Sequence, residues 1–255
     1  MTTHWPPHSV VARALVSALL ATVLGPAAPA AVFAATSIST PHRAVGASTS
    51  FNCTAKTFTK AQQLIQADLA NRVTQLNTLI TRVNRNTNLL APDKAALIAD
   101  LTQTELPGIQ ALQTKVNTDI ACRQLREDRH SMFANYHVYL VMTPKTDLVI
   151  AFDDAIHAEA VLSSWETVAS GAIQSAETHG TDVSDEQSAF SDYQANVAAA
   201  QNLTSSQSAT LLAQTPQGWP GNWSVFLQAR TNLSNAVNDL GAARNDLARI
   251  IQDLR

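Results

Sequence analysis

The stretch Phe226 to Arg255 reads FLQARTNLSNAVNDLGAARNDLARIIQDLR. Leu233, Leu240, Leu247 and Leu254 stand seven apart, with Phe226 one interval upstream. Seven-residue spacing of large apolar side chains is the period of a packed helix. Ala229, Ala236 and Ala243 flank the leucines on one side, and Val237 and Ile251 on the other. That stripe is wider than a two-stranded seam and suits burial between two neighbouring helices. A DNA-binding zipper would follow a basic run, yet no Lys or Arg occurs between Thr146 and Ala229. The stretch therefore reads as the closing helix of its own bundle, with dimerisation the minor alternative.

Working toward the N-terminus, TPQGWPGNW (Thr215 to Trp223) is a turn by its Pro and Gly content. Before it, Val183, Phe190, Val197 and Leu211 repeat on sevens, with Thr204 filling the gap. Ser184 and Gln187 have the spacing of a capping box at the start of that helix. Residues 138 to 152 admit two readings. Pro144 in TPKT suits the turn of a small β-hairpin, or the first turn of a helix through Val149, Phe152, Ile156, Trp165, Ala169 and Ile173. The unbroken apolar period past Phe152 favours the helix, which should stop at His179-Gly180.

Further upstream, Phe58, Ile65, Leu69, Val73, Leu76, Ile80 and Val83 define one amphipathic helix. Leu97, Leu101, Ile109, Leu112, Val116 and Ile120 define a second, with Pro92 in its first turn and a kink expected near Leu106 from Pro107-Gly108. The short connection between them forces an antiparallel hairpin. With the turn near Leu89 or Leu90, the only two cysteines, Cys53 and Cys122, meet at its open end and should form a disulfide. Arms of this length would each span roughly 50 Å at helical rise.

The first residues set the compartment. Arg13, the apolar run Ala14 to Gly25, and Val32-Phe33-Ala34 follow the order of a secretory signal peptide, cut after Ala34 or alternatively Ala30. The apolar run falls short of the roughly 20 residues a membrane span needs, so no anchor is expected after cleavage. Residues 35–52, rich in Ser, Thr and Ala, read as a flexible leader. The expected organisation is thus a signal peptide (1–34), a leader (35–52), a disulfide-closed, coiled-coil-like helical hairpin (53–142) and an antiparallel three-helix bundle (143–255). The fold class is all-α.

Charge is uneven. Ten acidic residues lie between Asp147 and Asp192 without a basic one, while residues 35–145 hold twelve basic and seven acidic residues. Either the acidic helices present a solvated face, or the basic hairpin packs against them, within one molecule or between two. A coherent basic surface is lacking, so nucleic acid is not expected as a partner. No phosphate-binding loop, nucleophile elbow or zinc-protease motif occurs, and neither catalytic residues nor a cofactor are expected.

Two constellations remain. Asp153 and His157 share a helix face, and a chain reversal at Pro144 would bring His130 level with them as a third metal ligand. Trp165, Trp219 and Trp223 could stack on a sugar or aromatic ligand, or plug the end of the bundle. Asn202, Asn222 and Asn232 lie in glycosylation sequons that matter only in a eukaryotic host.

Asp93-Lys94 after the hairpin turn, Tyr136-His137-Val138-Tyr139 followed by Pro144 and Leu148, and Gly180-Thr181-Asp182-Val183 together resemble a group of uncharacterised secreted helical proteins of actinobacteria. His137 stands where that group more often has Arg, and Leu90 where it has a capping Thr. The resemblance implies an exported helical protein without an established activity. Its expected partner is an unknown envelope protein or a second copy of the chain, and its expected role is an interaction or structural module. The alternative is a bundle that binds a small ligand or metal.

Overall fold

A computed structural model describes residues 53–254. The predicted signal peptide and leader lie outside the described residues. Those residues form two units: residues 53–153 with 205–232, and residues 154–204 with 233–254. The division falls inside helices at Asp153/Asp154 and Asn232/Leu233, where the sequence reading sets it at 142/143. All regular structure among the described residues is helical, so of the two readings of 138–152 the helix is found.

In the first unit, α1 (Phe58–Arg85) runs antiparallel to α3 (Leu106–Thr118). Gln62 Nε2 donates to the Val116 carbonyl at 2.7 Å and Gln66 Nε2 to that of Gln113 at 2.9 Å, so numbers rise on one helix as they fall on the other. The buried stripe of α1 is Ala61, Ile65, Leu69, Arg72, Leu76, Leu79 and Val83. From Ile65 onward its steps alternate four and three, which selects Arg72 and Leu79 over the predicted Val73 and Ile80. At the turn, Asn86 Oδ1 accepts the backbone N–H groups of Asn88 (2.7 Å) and Leu89 (2.8 Å). Lys94 Nζ reaches back to the carbonyls of Asn84 and Asn86, closing the end of α1 where the helix dipole favours a cation.

α2 (Ala91–Ala99) starts with Pro92 in its first turn and passes into a π-helical segment, Asp100–Glu105, before α3. The predicted kink is therefore a widened turn upstream of Pro107. Proline has no N–H to return to the carbonyl four residues back, and the i→i+5 pattern accommodates the loss.

Ile120, predicted on the buried stripe, is 87 % exposed. α3 ends at Thr118, and Asp119 and Ala121 are extended, which turns Ile120 outward. Gln124 Oε1 accepts the N–H groups of Ile120 and Ala121, both at 3.0 Å, and starts a helix absent from the sequence reading, α4 (Cys122–Asn135). Leu125, Asp128 and Met132 are its buried face. A second π-helical segment, Val138–Met142, leads into α5 (Thr143–Thr178), with Pro144 second in that helix.

The second unit contains residues 154–178 of α5, then α6 (Ser184–Thr204), and residues 233–253 of α8 (Trp223–Asp253). α5 stops where predicted. Gly180 takes φ +83°, a conformation natural to glycine, and Thr181 N–H returns to the Ala176 carbonyl at 3.1 Å. Ser184 is the first residue of α6 rather than its cap. Asp182 Oδ1 instead accepts the Ser184 N–H at 3.1 Å. The predicted run of α6 through Leu211 is interrupted: Ser206 has φ 64°, and Leu211 belongs to a separate short helix, α7 (Gln207–Leu212).

Phe226, Leu233, Leu240 and Leu247 are all buried within the single chain, as are Ala229, Ala236 and Ala243. Ile173, Val183, Ala189 and Ile250 form a further core cluster, with Ala176, Phe190 and Leu254 packed on it. No helix among the described residues is long and apolar enough to cross a membrane.

Candidate functional sites

The two thiols meet as expected. Cys53 and Cys122 form a disulfide with their Cα atoms 5.6 Å apart, and Arg126 Nη2 donates to the Cys53 carbonyl at 3.0 Å. Further along α4, Asp128 is fully buried and paired with Lys115 of α3. Asp119 is buried too, and each aspartate keeps one oxygen without a hydrogen-bond partner. Burial first and the neighbouring Asp128 carboxyl second push Asp119 up to about 6. With two carboxyls against one lysine, Asp119 keeps its proton to a higher pH than an ordinary aspartate does.

The tryptophans divide. Trp219 and Trp223 pack edge to face with centroids 5.7 Å apart, and His137 lies 5.9 Å from Trp219. The Arg230 guanidinium sits 5.9 Å from the Trp223 ring. The rings are half-buried and fill a turn that includes the cis Trp219–Pro220 peptide. Trp165 belongs to the second unit, where it lines an apolar depression with Val168, Ala172, Leu247, Ile251 and Leu254.

The predicted metal ligands have separate roles. His130 and His157 are exposed. Asp153 is fully buried, accepting the Leu90 N–H at 2.8 Å through Oδ2 and the Ser208 hydroxyl at 3.1 Å through Oδ1. Among the described residues no three His, Cys, Asp or Glu side chains are placed to hold a metal ion. Helical spacing put Asp153 and His157 on neighbouring turns, but Asp153 faces inward and His157 outward.

Several buried charges were not singled out by the sequence. The Arg72 guanidinium lies 5.2 Å from the Phe133 ring and 5.4 Å from that of Tyr139, and Arg129 lies 5.1 Å from Phe133. Arg72 falls on the three-four stripe of α1, which was its one available signal. Lys145, 2 % exposed, reaches Asp100 Oδ2 at 2.6 Å and the Gln214 carbonyl at 2.9 Å. Glu159 accepts the Thr204 hydroxyl at 2.8 Å in the second unit. Of the ten acids in the lysine-free stretch, Asp153, Asp154, Glu159 and Glu186 are buried, so the stretch is not wholly a solvated face.

No family model, curated protein or solved structure matches the chain.

Proposed function

We propose that the chain is an exported, non-catalytic helical module that works in the cell envelope or outside the cell, of a kind with the secreted actinobacterial proteins it resembles. In this reading the disulfide-closed hairpin of residues 53–142 is joined to a three-helix bundle, and helix faces bind a protein partner. The observation that carries it is the Cys53–Cys122 bond: both cysteines of the chain are consumed in one structural disulfide, which belongs to an oxidising compartment. Further support comes from the buried charges, several of which have structural partners: Asp153 on Leu90 and Ser208, Lys145 on Asp100 and Gln214, Glu159 on Thr204.

Expression of the full chain in an actinobacterial host, followed by fractionation, cross-linking in intact cells and intact-mass measurement, tests this. The expected product lies outside the cytoplasm, starts at Ala35, lacks the two hydrogens of a dithiol and forms discrete cross-linked adducts. A full-length, reduced, cytoplasmic chain overturns the reading. The small-ligand alternative rests on the apolar depression at Trp165. Titration with a fatty-acid series, read by Trp165 emission in a W5F/W219F/W223F background, should shift that emission if the alternative holds. An unchanged spectrum removes it.

A further inference from the structure

Glu105 closes the π-helical segment Asp100–Glu105, is 3 % exposed, and has no hydrogen-bond partner for its Oε2. A π-helical turn places residues five apart on one face, so Asp100 and Glu105 lie on the same side of the segment. The cation that faces them from α5 is Lys145, and its ammonium is already committed to Asp100 Oδ2 and to the Gln214 carbonyl just after α7. No ion pair joins Lys145 to Glu105 among the described residues. The site thus holds two carboxyls against one ammonium. It is neutral only when one carboxyl keeps its proton, and a buried charge without a partner is costly. Asp100, 42 % exposed at its side chain, already holds Lys145, which leaves buried Glu105 as the carboxyl without a counter-charge.

We propose that Glu105 is a proton-operated switch: when it loses its proton it draws Lys145 from Asp100 and the Gln214 carbonyl, releasing the chain after α7 from the start of α5. Burial, and next the Asp100 carboxylate, push Glu105 up to about 7, while Lys145 acts in the opposite sense. The folded state therefore holds a proton that the unfolded chain releases near 4.5. Between that pH and about 7 the fold binds more protons than the unfolded chain, so stability falls as pH rises through this window.

The test uses the full chain with ¹³C-labelled glutamate carboxyls, wild type against Glu105→Gln, and hydrogen exchange of residues 207–214. One glutamate resonance should titrate near pH 7 and be missing in the variant. Exchange of 207–214 in the wild type should accelerate above that pH by on the order of tenfold beyond intrinsic base catalysis, and not in E105Q. A Glu105 midpoint in the ordinary carboxylate range overturns the proposal, as does acceleration that persists in E105Q. Asp100→Asn supplies a second reading that does not need E105Q to fold. It frees Lys145 for Glu105, so the midpoint of the Glu105 resonance should move to lower pH, toward the ordinary carboxylate range, with the proton concentration at the midpoint rising at least about tenfold. An unmoved midpoint also overturns the switch.

Discussion

Gly108 shows how much a single position can depend on a neighbour distant in sequence. Located in the first turn of α3, it would by helix propensity alone gain from replacement by alanine. A Cβ there, however, would stand 2.6 Å from Tyr136 Oη and 2.7 Å from Cζ, on a half-buried ring. Gly108→Ala should therefore lower stability by about 1–3 kcal/mol, the usual penalty for overpacking. Urea unfolding gives the sign, and the loss should shrink in a Tyr136→Leu background. A gain in stability would show that the ring moves freely.

Asp119 makes a prediction of the same scale. Its folded value of about 6 lies above the usual 3.8, so the folded chain keeps a proton that the unfolded chain releases. Stability from this site is greatest below about pH 4 and is lost as pH rises toward 6, a change of roughly 1–3 kcal/mol. Asp119→Asn should flatten the unfolding free energy between those values, measured at several pH points. An equal slope in the variant would place the titration elsewhere. None of this was legible in the sequence, because Asp119 and Asp128 are brought together only by the reversal between α3 and α4.

At the scale of elements, apolar period predicted α1, α5 and α8 because one side of each helix repeats large apolar residues over many turns. It failed where the chain changes direction within helical sequence. α4 carries a short buried face that includes Asp128, so its apolar signal is weak. The gap between α6 and α7 has no Gly or Pro; its left-handed residue is Ser206. A non-glycine residue at that φ is strained, and Ser206 makes no side-chain cap bond. Its carbonyl still accepts from Thr210, which a glycine would preserve. Ser206→Gly should thus stabilise the chain by about 0.5–1 kcal/mol, read as a raised urea midpoint at unchanged slope.

For the molecule as a whole, the disulfide is the largest single covalent constraint. It joins residues 69 apart, and by the chain-entropy argument a loop of that length is worth about 4 kcal/mol. Reduction, or the double variant Cys53→Ser/Cys122→Ser, should lower the denaturant midpoint accordingly while leaving helical circular dichroism in buffer largely intact. Loss of helix on reduction would mean that the first unit needs the bond to fold at all.

By itself the sequence determined the all-helical class, the long amphipathic helices and the pairing of its two cysteines. Local chemistry controls the first two through period and propensity, and the third follows from having one possible pair. Tertiary structure decided which members of each stripe are buried, placing Arg72 inside and Ile120 outside. It also decided which titratable groups meet: Glu105 beside Asp100 and Lys145, and Asp119 beside Asp128. Periodicity specifies a face to within a turn or so, whereas burial and ionisation depend on ångström-scale distances to helices remote in sequence.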